Sequence, residues 1–284
     1  MSEKIRPIHA AIEFIENHLR DEISVADIAV AAGYSLYHFI RTFNQTVHHS
    51  PYDYLMRRRL SEAARELLAS DRRIIDISLD FCFRNHETFS RAFKRMFAMA
   101  PSQWRALTEI PHRVLMPKLT PAYLEHLNRV DFPRPGVVEQ NAIVLAGLMV
   151  RGGENPSSLL QSLRQTLLGG GIALPQAESN SYRVSTYSAN SAGASFFLAG
   201  IEIESPKNIP PTLVVQTIPA GTYVRFTHKG TEAACALTLD YIYHTWLPKS
   251  DLRPAHPLEV ERFGGVITPD AEREISIPVE VANH

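Results

Sequence analysis

Apolar residues in the first 105 or so positions recur every three to four residues, the spacing of one helix face, and they do so in several short runs. Ile8, Ile12, Phe14, Ile15 and Leu19 form the first run, which stops near Asp21. Ser24, with Asp27 three residues on, predicts the capped start of a short helix Val25–Ala32 that ends at Gly33. A second short helix is expected from about Ser35 to Thr46. A longer one follows from Pro51 to about Ala69, with Tyr54, Leu55, Leu60, Ala63, Ala64, Leu67 and Leu68 as its stripe. The pattern then restarts with Ile74–Phe81, a turn, about Glu87–Phe97, and Pro101-Ser102-Gln103-Trp104. Between Pro111 and Pro135 five prolines and no sustained period predict a linker with one helical turn around Ala122–Leu127. Beyond it the texture is that of strands rich in Val, Ile, Phe and Tyr: Ala142–Val150, Tyr182–Tyr187, Ser195–Ile203, Leu213–Ile218, Thr222–Thr227, Leu258–Phe263 and Glu274–Val279. Helical stretches fall near Pro156–Leu168 and Thr231–Leu247, so the order strand, helix, strand, strand is stated twice. That order argues for helices on one face of a largely antiparallel sheet.

The helical half repeats itself. Phe39-x-Arg41-x-Phe43, seven residues, then Pro51-x-x-Tyr54 returns as Phe89-x-Arg91-x-Phe93, seven residues, then Pro101-x-x-Trp104. Upstream, Asp27-Ile28-Ala29 matches Asp76-Ile77-Ser78 at an offset of 49 instead of 50, so the second copy has one extra residue in its turn. Each copy is a short helix, a tight turn and a second short helix, the anatomy of a helix-turn-helix. On the second helix of the first copy Leu36, Phe39, Ile40 and Phe43 share the inward stripe, leaving Tyr37, His38, Arg41 and Gln45 on other faces. In the second copy Phe89, Ala92, Phe93 and Phe97 go inward and His86, Glu87, Ser90, Arg91, Lys94 and Arg95 outward. Outward donors of this kind read base edges, and outward cations neutralise phosphates. The intervening helix of ~17 residues, ~25 Å long at 1.5 Å per residue, can set two reading helices about one duplex turn apart. The expected fold class is therefore multidomain α and α+β: an all-helical double helix-turn-helix domain (residues 1–108), a linker (109–139), and an α+β domain of duplicated strand-helix-strand-strand units (140–284).

Charge sharpens this reading. The chain of 284 residues carries a net charge of −1, yet between Arg41 and Arg105 there are 12 basic and 7 acidic residues, a local excess of +5. Two cysteines, Cys82 and Cys235, have no metal-ligand spacing around them, so neither a disulfide framework nor a zinc module is expected and a cytoplasmic setting is the default. No apolar run approaches the ~20 residues of a membrane span. Gly169-Gly170-Gly171 lacks a following Lys-Ser/Thr, and His48-His49 lacks ligand partners at suitable spacing, so no nucleotide, cofactor or metal is implied.

Asp76–Arg105, with its Phe-Ser-Arg-Ala-Phe-Lys-Arg stretch and closing Pro-x-x-Trp, resembles the second helix-turn-helix of AraC-type transcription regulators, and Ile23–Leu60 resembles the first. By position, the resemblance implies that Tyr37, Ile40 and Arg41 in the first reading helix, and His86, Glu87, Thr88 and Arg91 in the second, reach bases. With their outward neighbours His38, Gln45, Arg84, Asn85, Lys94 and Arg95 they make up the expected DNA-binding set. The partners implied are double-stranded promoter DNA and RNA polymerase. Two departures stand out: the turn before the second reading helix has Cys82 where the family has Gly, and the later Phe-Gly turn is Phe97-Ala98. A left-handed conformation at either would cost ~1 kcal/mol.

The doubled order of the second half resembles the GyrI-like effector-binding domain, through Ile218-Pro-Ala-Gly-Thr-Tyr223-Val-Arg-Phe226, Trp246-Leu-Pro, Glu261-Arg-Phe263 and Ile275-Ser-Ile-Pro-Val279. The resemblance implies a groove for a small-molecule effector, with aromatic walls from Tyr182, Tyr223, Phe226, Trp246 and Phe263 over a carboxylate, Glu261. Glu259 on the same strand face is the other candidate. Such a groove favours aromatic or cationic ligands through charge pairing and cation–π contact. The expected function is a sequence-specific, ligand-sensing transcription regulator, neither an enzyme nor membrane-bound. The alternatives are a drug-sequestering or partner-binding module, and a hydrolase using Glu259 and Glu261.

Overall fold

The computed structural model describes residues 4–129, 134–151, 162–163, 180–187, 195–205, 207, 209–264 and 272–281. The chain divides into two units, Met1–Phe132 with Asp240–Trp246, and Pro133–Leu239 with Leu247–His284. Among the described residues no helix is long and apolar enough to cross a membrane.

The first unit is built from α1 (Ile5–Asn17), α2 (Val25–Ala31), α3 (Leu36–Val47), α4 (Pro51–Ala69), α5 (Ile74–Asp80), α6 (His86–Phe97), α7 (Pro101–Arg105) and α8 (Pro121–Leu127). Local chemistry starts several of them. The Asp27 backbone N–H donates to Ser24 Oγ at 3.2 Å while the Ser24 N–H donates to Asp27 Oδ2 at 2.8 Å, a reciprocal capping box for α2. Ser50 caps α4 through the Asp53 N–H, and Pro51 takes the first helical position, where its missing N–H costs nothing.

The duplication is physical. The paired helices α2 and α5 have seven residues each, and α3 and α6 have twelve. Gly33 and Cys82 end the first helices of the two copies in the left-handed region, at φ 72° and 62°. His48 and Ala98 do the same after the reading helices, at φ 61° and 55°. In the first copy the rings of Phe39 and Phe43 lie 5.4 Å apart and Phe43 meets Tyr54 at 6.1 Å. In the second, Phe89 and Phe93 lie 5.4 Å apart and Phe93 meets Trp104 at 5.7 Å. All six rings are buried, each contributing about 1.5–3 kcal/mol of apolar burial, and they seat both reading helices against their neighbours. Between the copies α4 packs against α2, α3, α5, α6 and α7, and the Trp104 Nε1–H donates to the Ala64 carbonyl at 2.9 Å.

One expectation needs correction here. Leu36 and Ile40, placed on the inward stripe of α3, are 47% and 37% exposed, and Thr46 and Val47 complete the buried face instead. With Phe39 and Phe43 at the centre of the contact, residues three before and one after fall at its rim. The helical turn expected around Ala122–Leu127 is α8, which packs on α1 and α3 with Tyr123, Leu124 and Leu127 buried, and the same segment 109–139 also holds the start of a strand, β1 (Gly136–Gln140). Proline punctuates this stretch without preventing structure, because Pro121 opens a helix that Thr120 caps.

The second unit is one antiparallel sheet: β1, β2 (Ile143–Arg151), β3 (Ser181–Tyr187), β4 (Ser195–Glu202), β5 (Val214–Ile218), β6 (Gly221–His228), β7 (Leu252–Pro254), β8 (Leu258–Phe263) and β9 (Arg273–Val281). The strand order is β1-β6-β9-β8-β3-β4-β2-β5, with β7 paired to β9 at the side. The order reads symmetrically about the β3–β8 junction, where Val184 faces Val260 and Arg183 faces Glu261. One half is β2-β4-β3 and the other β6-β9-β8, and each is edged by a strand from outside itself, β5 on β2 and β1 on β6. The helix α9 (Glu232–Tyr241) lies on the sheet face that carries Arg183, Glu261 and Arg273, and runs on into a π turn, Ile242–Trp246, and a 3-10 turn, Leu247–Lys249. The expected helix Pro156–Leu168 lies outside the described residues apart from Ser162 and Leu163, and Leu163 is buried with Ala199, Ile201 and Phe263.

Candidate DNA interface and ligand site

All thirteen residues expected to meet DNA are exposed: Tyr37, His38, Ile40, Arg41 and Gln45 on α3, Arg84 and Asn85 before α6, and His86, Glu87, Thr88, Arg91, Lys94 and Arg95 on it. Three of them also make local contacts, one being His86, whose ring lies 3.5 Å from Ser90 Oγ. Asn85 Oδ1 accepts from the Thr88 backbone N–H at 2.8 Å and so starts α6. His38 stacks on Tyr34 with ring centroids 4.7 Å apart. Tyr37 is 78% exposed, and Leu36 and Ile40 beside it on α3 are partly exposed as well.

The basic excess separates into two groups. Of the 12 Lys and Arg between Arg41 and Arg105, seven are used inside the fold. Arg57 pairs with Asp53, Arg58 with Glu16, Arg65 with Glu62, Arg72 with Glu66 and Asp80, and Arg73 with Asp76. Arg59 donates to the Leu19 and Asp21 carbonyls, and Arg105 to those of Leu67 and Arg72. The other five, Arg41, Arg84, Arg91, Lys94 and Arg95, take part in no ion pair among the described residues, and all five lie on or just before the two reading helices. Uncommitted cations on two equivalent helices are what a polyanion with a regular repeat can engage.

In the second unit the structure divides the expected ligand set. Strand side chains alternate faces, and the register puts Tyr182 and Tyr223 on one face and Phe226, Glu261 and Phe263 on the other. Tyr182 and Tyr223 are buried with Leu145, Val184, Leu198, Ile218 and Val260, their hydroxyls donating to Glu202 and to the Pro219 carbonyl. Trp246 belongs to the segment that groups with the first unit. Phe226, Glu261 and Phe263 are brought together under α9 and are buried.

Glu261 does not stand as a bare carboxylate. Arg183 Nε donates to Glu261 Oε1 at 2.8 Å and its Nη2 donates to the same oxygen. Arg273 Nη1 donates to Glu261 Oε2 at 3.1 Å. Both guanidinium groups also reach Glu232 in the first turn of α9, Arg183 through Nη1 at 2.8 Å and Nη2 at 3.1 Å, Arg273 through Nη1 at 2.6 Å. Burial pushes the Glu232 carboxyl up, but the two arginines outweigh it and hold it below the ordinary carboxylate range. The same burial, strengthened by Glu261, drives the Cys235 thiol far up, so it stays protonated. Glu259, the other candidate, is buried and accepts from the Tyr187 hydroxyl at 2.9 Å. Sequence reasoning does not find Arg183, Arg273 and Glu232; the signal it offers is an arginine within each of two apolar strands, and the register that sets Arg183 opposite Glu261 belongs to the fold.

A duplicated helix-turn-helix with free cations, followed in the chain by a duplicated α+β unit enclosing a charge cluster, defines a DNA-binding transcription regulator with a small-molecule-binding domain. The GyrI-like small molecule binding domain family matches residues 134–280, more than half of the chain, and a helix-turn-helix domain family matches residues 28–107. The chain belongs to the GyrI-like family and carries an AraC-type reader. Among relatives, the uncharacterized HTH-type transcriptional regulator YbfP of Bacillus subtilis is 41% identical over 100 residues, 35% of this chain and only 34% of that protein. The transcriptional regulator Rob of Salmonella typhimurium is 26% identical over 261 residues, 88% of this chain and 87% of that one. The regulatory protein SoxS of the same species is 36% identical over 98 residues, 34% of this chain and 92% of that one.

Proposed function

We propose that residues 1–108 read a specific duplex sequence, that residues 140–284 receive a small effector, and that 109–139 join the two. Reading falls to Tyr37, Ile40 and Arg41 in the first copy and to His86, Glu87, Thr88 and Arg91 in the second, with Arg84, Lys94 and Arg95 on phosphates. The effector site is the α9-bearing face of the sheet around Phe226, Glu261 and Phe263. The chain works by binding and not by turnover, in the cytoplasm, and passes the effector signal to promoter output through RNA polymerase. Regulation requires that the effector bind two states of the regulator unequally. The two carboxylates considered for hydrolysis are both engaged by neighbouring donors, which supports binding over catalysis.

One observation carries the DNA assignment: among the described residues five basic side chains of the stretch Arg41–Arg105 have no internal partner, and they sit on or just before the two equivalent reading helices, while the other seven are committed. Selection from a random duplex pool will return a preferred site. Arg41→Ala and Arg91→Ala will each weaken binding to it by ~1–3 kcal/mol and relax base preference at one position. Variants that both bind the selected site as tightly as the parent chain would overturn the assignment.

A further inference from the structure

The charge cluster under α9 has an unequal architecture. Arg183, Glu261 and Arg273 are 7%, 2% and 2% exposed, so both guanidinium groups and one of the two carboxylates hydrogen-bonded to them are buried. Among the described residues the second carboxylate hydrogen-bonded to both arginines is Glu232, whose side chain is 45% exposed. Its carboxylate spans both guanidinium groups from the solvent side, with Oε1 accepting from both arginines and Oε2 from Arg183. Buried guanidinium groups that lose a hydrogen-bonded carboxylate are expensive, so an anion is favoured at this position. Arg273 has capacity to spare: its buried Nε–H has no acceptor among the described residues, although the guanidinium stacks 5.0 Å above the Phe263 ring. A guanidinium pair is matched to the two oxygens of a carboxylate, and the adjacent ring suits an apolar group attached to it.

We propose that Arg183 and Arg273 form a seat for a carboxylate-bearing ligand, and that Glu232 at the start of α9 is the internal occupant that such a ligand displaces. This rests on the reading of the second unit as the effector-binding part. It also reverses the charge expected of the effector, because Glu261 is already spent on two arginines. Exchange of Glu232 for a ligand carboxylate keeps the buried charge balanced and frees the first turn of α9 from the sheet.

The probes are benzoate and, as a cation of similar size, benzyltrimethylammonium, titrated calorimetrically into the full chain at constant ionic strength. The wild-type chain will bind benzoate, Glu232→Ala will bind it at least about tenfold more tightly, and adding Arg273→Met will abolish the gain. Benzoate will also restore thermal stability lost in Glu232→Ala, and benzyltrimethylammonium will not. Unchanged benzoate affinity in Glu232→Ala, or wild-type binding insensitive to Arg273→Met, overturns the proposal. If the cation binds and benzoate does not, the seat falls while the effector role stands; if neither binds, both fall. Should Glu232→Ala fail to fold, Glu232→Gln keeps the side-chain volume and must give the same direction. Should that also fail, arginine side-chain NMR signals of the wild-type chain decide, and a benzoate titration that leaves the two buried guanidinium groups unmoved overturns the seat.

Discussion

Ala98 follows the second reading helix with φ 55°, a conformation in which an L side chain crowds the following carbonyl. Its methyl is exposed, so Ala98→Gly removes the crowding and almost no packing. The relief is worth ~1–2 kcal/mol, offset by ~0.4–1 kcal/mol for the greater freedom of glycine in the unfolded chain, a net gain of ~0.5–1 kcal/mol. Gly33 offers the mirror experiment. It sits at φ 72°, and a Cβ added there would meet no atom within 4 Å, so Gly33→Ala isolates the backbone term. It is expected to lose what Ala98→Gly gains. Urea unfolding followed by tryptophan emission is a direct assay, because both tryptophans, Trp104 and Trp246, belong to the first unit. With a slope of about 2 kcal/mol per molar, the midpoints should move by ~0.3–0.5 M in opposite directions. If Ala98→Gly leaves the midpoint unchanged or lower while Gly33→Ala is harmless, the left-handed turns are not where the helical repeat stores strain.

The other expectations concern the second unit. A Cβ at Gly147 would lie 2.0 Å from the Ala199 carbonyl oxygen on β4, so Gly147→Ala forces the two strands apart and should cost ~3 kcal/mol or more, read as lost amide-exchange protection in β2 and β4. The folded state holds the Glu232 carboxyl below its ordinary value, so its contribution is present above the unfolded carboxyl's range and lost as pH falls through the folded one. Between about pH 6 and about pH 3 the second unit should therefore lose stability more steeply in the parent chain than in Glu232→Gln, and parallel curves would remove Glu232 from the charge balance.

The reader was largely legible in the chain because its determinants are local. Capping residues, a 3.6-residue stripe and a motif repeated 50 positions on lie within short windows, and α3, α4 and α6 end within a residue or so of the expected places. Leu36 and Ile40 were misplaced because periodicity locates the centre of a buried face better than its rim. Strand β1 is not legible in the sequence because its partner among the described strands, β6, lies more than 80 positions away, and nothing in Gly136–Gln140 alone announces pairing.

By itself the sequence determined two duplicated modules, a helical one with matched outward cations and an α+β one with a strand order stated twice, since repetition and alternation are properties of neighbours along the chain. Only the tertiary structure decided which cations are free and what surrounds Glu261. Seven arginines of the basic stretch are consumed by partners that, for Arg58 and Arg59, lie about 40 positions away. Glu261 meets Arg183 from 78 positions away, and Glu232 meets Arg183 and Arg273 from 49 and 41. Charge neutralisation falls off over ångströms in space, so its outcome waits on the fold that brings these groups together.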